Sequence, residues 1–211
     1  MSASPLLNLV IIGALTLAST ASLAESSIAV EQYGDHHELD LLTDGDDIKT
    51  LIRQEGSGHQ TNLLFSGSNH DAYLEQSGQD HVADIRLQGS NHSFTVLQGG
   101  QGNDAHLVQK GVSHGASIVQ EGADHMGDIR QHGERQASSI LQIGTGHVAR
   151  IDQRGADNQA TIEQHGQSHN AAVSQIGNDN QYSLIQQGHN LIGPTVTQIG
   201  GVAMNIVQTG G

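Results

Sequence analysis

Glycine returns every eleven residues over most of this chain. Counting from Gln32 in steps of eleven gives fifteen unit starts, and the residue two places after each start is glycine. The start is Gln in all units but three, where Thr43, Phe65 and Leu87 stand, and the residue nine places on is aliphatic in every unit through Leu184. Fifteen glycines in phase do not arise by chance, so the chain repeats one structural unit.

Hydrophobic and polar residues alternate within each unit. In the unit QRGADNQATIEQ (153–164), Ala160, Ile162 and Gln164 have one parity, and Thr161 and Glu163 have the other. A period of two predicts a strand with one face inward and one outward. The following x-Gly-x-x-Asn/His pattern predicts a turn in which glycine supplies a positive φ. Each unit is therefore one strand and one turn.

A single strand and turn cannot bury its inner face, but two facing units can together form one flattened coil. The sequence thus predicts an all-β fold, a β-solenoid of about eight 22-residue coils with two strands per coil, with neighbouring coils about 4.7–4.9 Å apart. Each inward Gln then stacks on another, so that the amides satisfy one another along a ladder. The predicted inward Gln ladder is Gln54, Gln76, Gln98, Gln109, Gln120, Gln131, Gln142, Gln153, Gln164, Gln175 and Gln186. The predicted turn glycines are Gly56, Gly78, Gly100, Gly111, Gly122, Gly133, Gly144, Gly155, Gly166, Gly177 and Gly188.

The N-terminus has the pattern of a targeting segment. The apolar run over residues 6–18 is short for a membrane span, and small residues at Ser22 and Ala24 predict signal-peptide cleavage between Ala24 and Glu25. A membrane anchor is the alternative. We therefore divide the chain into a signal peptide (1–24), an acidic segment (25–47) that overlaps the first degenerate repeats, and the repeat region (32–208). The mature chain is expected to be secreted, with no membrane span.

Composition narrows the function. The net charge of −14 disfavours nucleic acid and anionic membranes as partners. We find no nucleophile elbow, phosphate loop or zinc motif, so we expect neither an enzyme nor a cofactor or metal. Asp84 with Arg86, and Asp128 with Arg130, are predicted to be solvated ion pairs on an exposed strand face.

The repeat A-x-I-x-Q-x-G-x-x-N resembles the curlin repeat, most clearly over residues 105–120 and 160–180. The resemblance implies a subunit of curli, the bacterial surface amyloid fibres that support adhesion and the biofilm matrix. It also implies export by the outer-membrane curli secretion machinery, an extracellular location, and partners that are further copies of the chain or other curlin subunits. Whether the chain is the major subunit or a minor subunit that nucleates fibres stays open.

A solenoid that stacks on itself needs an available strand edge. No Asp, Glu, Lys or Arg occurs after Asp179, so this low-charge, repeat-bearing segment is the expected association edge. The alternative from another class is a soluble monomeric rod that binds a ligand such as ice or a glycan. A particle size that grows with concentration distinguishes the fibre from the rod.

Histidine often stands where the repeat has Asn at the turn. One interpretation is that His replaces Asn as the hydrogen-bonding side chain of the turn. Another is a pH-sensitive ladder that slows assembly below about pH 6, and a third, weaker one is a metal site. The candidate ladder residues are His59, His81, His125, His147 and His169 on one edge, and His70, His92 and His114 on the other.

The outward positions contain one apolar stripe. Leu97, Val119 and Leu141 follow one another on alternate units, with Glu75 before them and Glu163 after them. The stripe is either tolerated surface or a lateral contact between filaments.

Overall fold

The computed structural model describes residues 6–10, 14–19 and 26–210, and these form seventeen β-strands and no helix. The described part therefore contains no helix able to cross a membrane. The strands are β1 (Leu6–Val10), β2 (Ala14–Ser19), β3 (Ser27–Asp35), β4 (Glu38–Ser57), β5 (Gln60–Gln79), β6 (Val82–Ser90), β7 (Ser93–Gln101), β8 (Asp104–Val112), β9 (Gly115–Ala123), β10 (Met126–Glu134), β11 (Ala137–Thr145), β12 (Val148–Ala156), β13 (Gln159–Gln167), β14 (Asn170–Asn178), β15 (Gln181–His189), β16 (Ile192–Ile199) and β17 (Ala203–Thr209).

The strands pair in parallel, each with the strand that lies one coil later in the chain. β10 pairs with β12 so that Ile129 lies beside Ile151 and Gln131 beside Gln153. β3, β7, β9, β11, β13, β15 and β17 form one face of the coil, which we call the odd face. β6, β8, β10, β12, β14 and β16 form the opposite, even face, and the long strands β4 and β5 contribute one half to each.

The predicted β-solenoid is confirmed, with about eight turns at 22-residue spacing and two strands in each turn. β-Branched and other aliphatic residues line its interior because alternate side chains of each strand point inward. Ile129, Ile140, Ile151 and Ile162, which lie on successive half-turns, are fully buried. In most units the inward residues are a His or Asn, a small residue two places on, an aliphatic residue and a Gln.

The even face departs from the Gln pattern near its N-terminal end. Thr43, Phe65 and Leu87 occupy the Gln position there, and all three are buried. Phe65 packs edge-on against Phe94 of the odd face, with ring centroids 6.0 Å apart. In these coils the Gln column lies on the odd face alone and apolar side chains occupy the even side, whereas the later coils contain Gln on both faces.

One insertion shifts the register near the C-terminal end. β14 and β16 pair with a bulge opposite Asn170 and Ala172, where β16 contains Gly193 and Pro194. The pairing recovers at once, since Gln175 lies beside Gln198 and Gln186 beside Gln208. A proline beside a bulge costs little because its missing N–H falls where the ladder is already interrupted.

The turn glycines are required for two separate reasons. Gly144 has φ +127°, and a Cβ built on it would lie 1.9 Å from the backbone oxygen of Gly166 in the next coil. The other turn glycines of the repeat, except Gly45, share the positive φ. The close backbone approach therefore demands glycine as strictly as the φ does.

A second left-handed position follows two residues later and was not predicted from the sequence. Asn69, Asp80, Asn91 and Asp124 occupy it with φ between 54° and 57°. Asn and Asp tolerate this region better than other side chains. The Asn and Asp residues that directly precede the His or Asn of the turn could therefore have indicated this left-handed position from the sequence.

The N-terminal segment adds two strands to the solenoid. β1 pairs with β3, and β2 pairs with the first part of β4. The predicted cleavage point between Ala24 and Glu25 lies outside the described residues. Removal of residues 1–24 as a signal peptide stays a prediction.

Substituting Gly144 tests the close approach of the coils. Gly144→Ala should destabilise the chain by at least about 2–3 kcal/mol, because the new methyl group overlaps a backbone oxygen at an unfavourable φ. Gly146→Asn is the matched control, because Gly146 has φ +66° and its nearest Cβ neighbour is the Ser168 hydroxyl at 3.6 Å. We expect the control to change stability by less than about 1 kcal/mol, as measured by chemical denaturation. Equal effects of the two variants would contradict this account of the turn.

Candidate functional site

Two ladders of buried Gln amides run along the interior. On the odd face, each Gln Nε2 donates to the Oε1 of the Gln in the next coil; Gln120 donates to Gln142, and Gln142 to Gln164, both at 3.0 Å. On the even face, the ladder begins at Gln109, which donates to Gln131 at 2.9 Å. All the bonds run in one direction along the axis. The predicted inward Gln residues therefore meet in two columns.

From Gln98 to Gln175, each ladder amide also donates across the core to a backbone oxygen of the opposite face. Gln142 Nε2 also donates to the backbone oxygen of Met126 on the even face at 3.1 Å, and Gln131 Nε2 donates to that of Gly115 on the odd face at 3.0 Å. Each Gln from Gln98 to Gln175 thus joins neighbours in its own column and also binds the two faces to each other. The ladder was predicted from the sequence, but this cross-face bond was not, because it depends on the lateral offset of the two faces.

The histidines stack along the two edges of the coil. His125, His147 and His169 have ring centroids 4.9 and 4.7 Å apart, with interplanar angles of 12° and 3°. His70, His92 and His114 form the corresponding stack on the other edge at 5.2 and 5.0 Å. These imidazoles are buried. The candidate ladder residues are therefore brought together in the columns that the predicted coil requires.

Hydrogen bonds fix the tautomer of every ladder ring except His70, whose buried Nδ1 has no hydrogen-bond partner. His147 Nε2 lies 3.1 Å from the backbone oxygen of Ile143, so Nε2 must carry the proton. The backbone N–H of His169 donates to His147 Nδ1 at 3.1 Å, so Nδ1 must be unprotonated. Both nitrogens are used and the ring is neutral.

Asparagine makes the same two bonds. Asn103 Nδ2 donates to the backbone oxygen of Gly99 at 3.0 Å, and Asn103 Oδ1 accepts from the backbone N–H of His125 at 3.1 Å. The amide oxygen and nitrogen of Asn therefore replace Nδ1 and Nε2 of His. This equivalence supports the interpretation that His serves here as a substitute for Asn.

Burial disfavours the charged form of these rings. Burial, with a smaller contribution from neighbouring histidines, lowers the pKa of His59 and of His147 to about 4. Burial also lowers the pKa of His70, His81, His92, His114 and His125. A proton on Nδ1 would face a backbone N–H and lose its hydrogen bond. His59 and His147 therefore stay neutral in the folded chain at pH 6, and protonation of these two side chains acts mainly on the unfolded chain.

The ladder does not suit a metal ion. A ligating imidazole needs a free nitrogen lone pair, but in His147 the Nδ1 lone pair accepts a backbone N–H. Within the described residues, no group of three or more His, Asp or Glu side chains could hold a metal.

The even face carries a charged network on its outer side. The predicted pairs are present, with Arg86 Nη2 3.0 Å from Asp84 Oδ2 and Arg130 Nη2 3.0 Å from Asp128 Oδ2. His106, which was not singled out from the sequence, lies between the two coils, with its Nδ1 3.0 Å from Asp128 Oδ1. Stepping one coil at a time from Asp84 to His106 and then to Asp128 would have revealed it.

Acid should weaken the fold over a defined pH window. Because the folded pKa of His59 and His147 is about 4 and that of an unfolded His is about 6.5, stability is complete above pH 6.5, falls as pH drops, and levels off near pH 4. Each such His contributes about 1.4 kcal/mol per pH unit within the window. We expect the denaturation midpoint of freshly prepared soluble chain to decrease between pH 7 and pH 4.5.

A variant pair assigns this pH dependence to the ladder. His147→Asn keeps both hydrogen bonds and removes one titrating group, so its stability should fall less steeply with acid. His132→Asn, on an exposed outward position, should keep the slope of the parent chain. Identical slopes for His147→Asn and the parent would show that the ladder is not the acid-sensitive element.

Changing a rung tests the amide ladder. Gln142→Glu places a carboxylate between Gln120 and Gln164 and removes both donors, so we expect a loss of about 3–5 kcal/mol, as for an unpaired buried charge. The measurement is chemical denaturation at pH 7.5. Thr161→Glu at an outward position should have little effect, and a comparable loss there would argue against a special role of the ladder.

Comparison with known proteins agrees with this geometry. Residues 155–188 match the family model of the curlin associated repeat, and this segment covers three consecutive units from the end of β12 to β15. No curated protein and no solved structure matches the chain. The match confirms the curlin resemblance that the repeat indicated. The chain is thus a curlin-like structural protein with the fold of a β-solenoid.

Proposed function

We propose that this chain is a structural subunit of extracellular curli-type amyloid fibres and that it assembles by stacking its solenoid end to end. The observation that supports the proposal most directly is the last coil that the structure describes. Within the described part of the chain, β16 pairs with β14 and β17 with β15, so each has one free edge of backbone N–H and C=O groups. A free edge of this kind is a template for a further strand.

The side chains of this last coil continue the interior columns. Met204 lies under Tyr182, Ile206 under Leu184 and Gln208 under Gln186. Met204 is 38% exposed, whereas Tyr182 in the coil before it is 4% exposed. A further coil would bury these residues, accept the amide hydrogen bond of Gln208 and extend both faces. No Asp, Glu, Lys or Arg in this segment opposes the contact.

The unit that would cover this edge is available in the chain itself. Most coils present a similar inward set of residues, so one end of a second copy offers strands of matching period. Stacked identical strands with hydrogen-bonded Gln columns are the arrangement found in amyloid. The proposed role therefore needs no partner other than curlin subunits. Export by the curli secretion machinery, adhesion and a place in the biofilm matrix are parts of this proposal.

Fibre diffraction tests the stacked architecture. Purified residues 25–211, held at neutral pH until they assemble, should give reflections at about 4.7 Å and about 10 Å, with the strands across the fibre axis. A chain that stays monomeric at high concentration would overturn the proposal and favour a soluble binding rod.

A pair of lysine variants tests whether the last coil is the growing contact. Ile206→Lys puts a charge on an inward position that is only partly buried in the free chain but would be fully buried in a stack, so fibres should form at least about tenfold more slowly. Val207→Lys places the same charge on the adjacent outward position, which is 63% exposed, and should assemble normally. Both variants should remain folded by circular dichroism. Equal assembly rates for the two variants would contradict end-to-end stacking through β17.

A further inference from the structure

The two outer faces of the solenoid differ in charge. From β7 to β15, the odd-face strands contain only two residues of the Asp, Glu, Lys and Arg types, Glu121 and Glu163. The even-face strands from β6 to β14 contain ten. Several of the ten are paired with each other, so covering the even face would cost the desolvation of ion pairs. The odd face has no such cost.

The odd face also has a ridge and a groove side by side. The ridge is the apolar stripe found in the sequence, Leu97, Val119 and Leu141, and Ile185 continues it beyond Glu163. The groove lies at the other end of the same strands, where the outward side chains are small. It is lined by Gly115, Ser117, Ala137, Ser139, Gln159 and Thr161.

We propose that the odd face from β7 to β15 is a lateral docking surface for a second copy of this chain, with the two solenoid axes parallel. A two-fold axis along the solenoid reverses the strand direction across the contact but keeps each coil level with its counterpart. Val119 then faces Gly115 of the second copy, and Leu141 faces Ala137. The ridge of each copy enters the groove of the other, as a self-complementary two-fold contact requires.

The polar residues of the face fit the same arrangement. The central column contains Thr95, Ser117, Ser139 and Thr161, whose hydroxyls face the same column of the second copy and can donate and accept hydrogen bonds. Glu163, the one charge in the ridge, faces Gln159, whose amide can donate to it.

The N-terminal limit of the surface follows from charge. In the coil before β7, Asp71 and Glu75 stand at the groove and ridge positions, so two acidic residues would face each other across the contact. The coil before that would oppose Lys49 and Arg53. Like charges in direct opposition are unfavourable, so the contact begins at β7.

The docking surface is too small for a stable contact between two single copies, so the contact depends on fibre formation. Five coils at about 4.8 Å and some five residues at about 3.3 Å give roughly 400 Å² per copy, about half of what a stable dimer buries per partner. A single pair therefore associates weakly. In a fibre, the contact recurs with every subunit and the weak contacts act together. The inference rests in this respect on the proposed fibre function, and its consequence is bundling of filaments.

The first test compares bundle width in fibres of three variants by electron microscopy. Val119→Lys should give single filaments. Val148→Lys, which changes a half-buried outward valine of the even face, should bundle like the parent. Adding Gly115→Glu to Val119→Lys should restore bundling, because each new lysine then faces a new glutamate. Gly115 accepts a side chain, since its Cβ would lie 3.7 Å from the Ser93 hydroxyl. Parent-like bundles of Val119→Lys, or no rescue by the double variant, would overturn the proposal.

The second test does not require fibres. The chain has no cysteine, so Ser139→Cys gives one reporter thiol in the central column. A short thiol-reactive crosslinker should join two copies through it at high protein concentration, in solution or in fibres. Ala172→Cys on the even face should crosslink at least fivefold less. Equal crosslinking of the two variants would refute the docking surface, whereas absence of fibres with selective crosslinking at Ser139→Cys would refute only the fibre function.

Discussion

Parallel pairing of each strand with the strand one coil later is the constraint on which the rest of this structure depends. It places every residue directly on its counterpart in the next coil, about 4.8 Å away. An inward side chain must therefore be able to stack on its own kind. An amide can, because it donates on one side and accepts on the other, and so can a neutral imidazole bonded to the backbone of the next coil. Glycine can as well, and it permits the closest backbone approach, since a Cβ on Gly144 would overlap Gly166.

The same constraint gives the interior a chemical direction. Every Gln of the ladders donates toward the coil that follows it, so a ladder begins with an amide oxygen that receives nothing. Among the described residues this is seen at Gln109, whose buried Oε1 has no partner because Leu87 lies before it, and again at Gln32. Most of the stacked histidines are also oriented, since their Nδ1 accepts from the backbone of the next coil, as in His125 and His147. A solenoid of this kind has two chemically different ends, and copies that stack must do so head to tail.

The interior could be predicted from the sequence because its columns are nearly invariant. The period of eleven determined the strand, the turn and the two-strand coil, and the inward Gln and His residues followed by counting. Contacts that depend on how the two faces are offset could not be counted in this way. The bond from Gln142 to the backbone of Met126 is one example, and the left-handed position two residues after Gly144 is another feature that counting missed. Removal of the N-terminal segment, export and the fibre partner are not properties of the repeat, so they stay predictions.

Stacking also restricts the outward columns, because a charged residue cannot be followed one coil later by a residue of the same charge. The two faces meet this restriction in different ways. Within the strands from β3 to β17, no acidic residue is followed one coil later by another, and no Lys or Arg by another. Charges in one column instead alternate, as in Glu31, Arg53 and Glu75, where Arg53 Nη2 lies 3.0 Å from Glu31 Oε2. Like charges stacked between coils would repel along the whole rod.

An outward column can avoid stacked like charges in two ways. It can alternate positive and negative residues, or it can contain few charged residues. On the even face, acidic and basic residues alternate in the column of Asp84, His106, Asp128 and Arg150. Asp128 lies within ion-pair distance of both His106 and Arg150. The odd-face strands from β7 to β15 contain only Glu121 and Glu163 as charged residues, and they place Leu97, Val119 and Leu141 in one column. Only the second solution leaves a surface whose burial costs no ion pair. The difference in charge between the two faces is therefore a consequence of stacking. It makes the odd face the one that can be covered by a second solenoid without desolvating an ion pair.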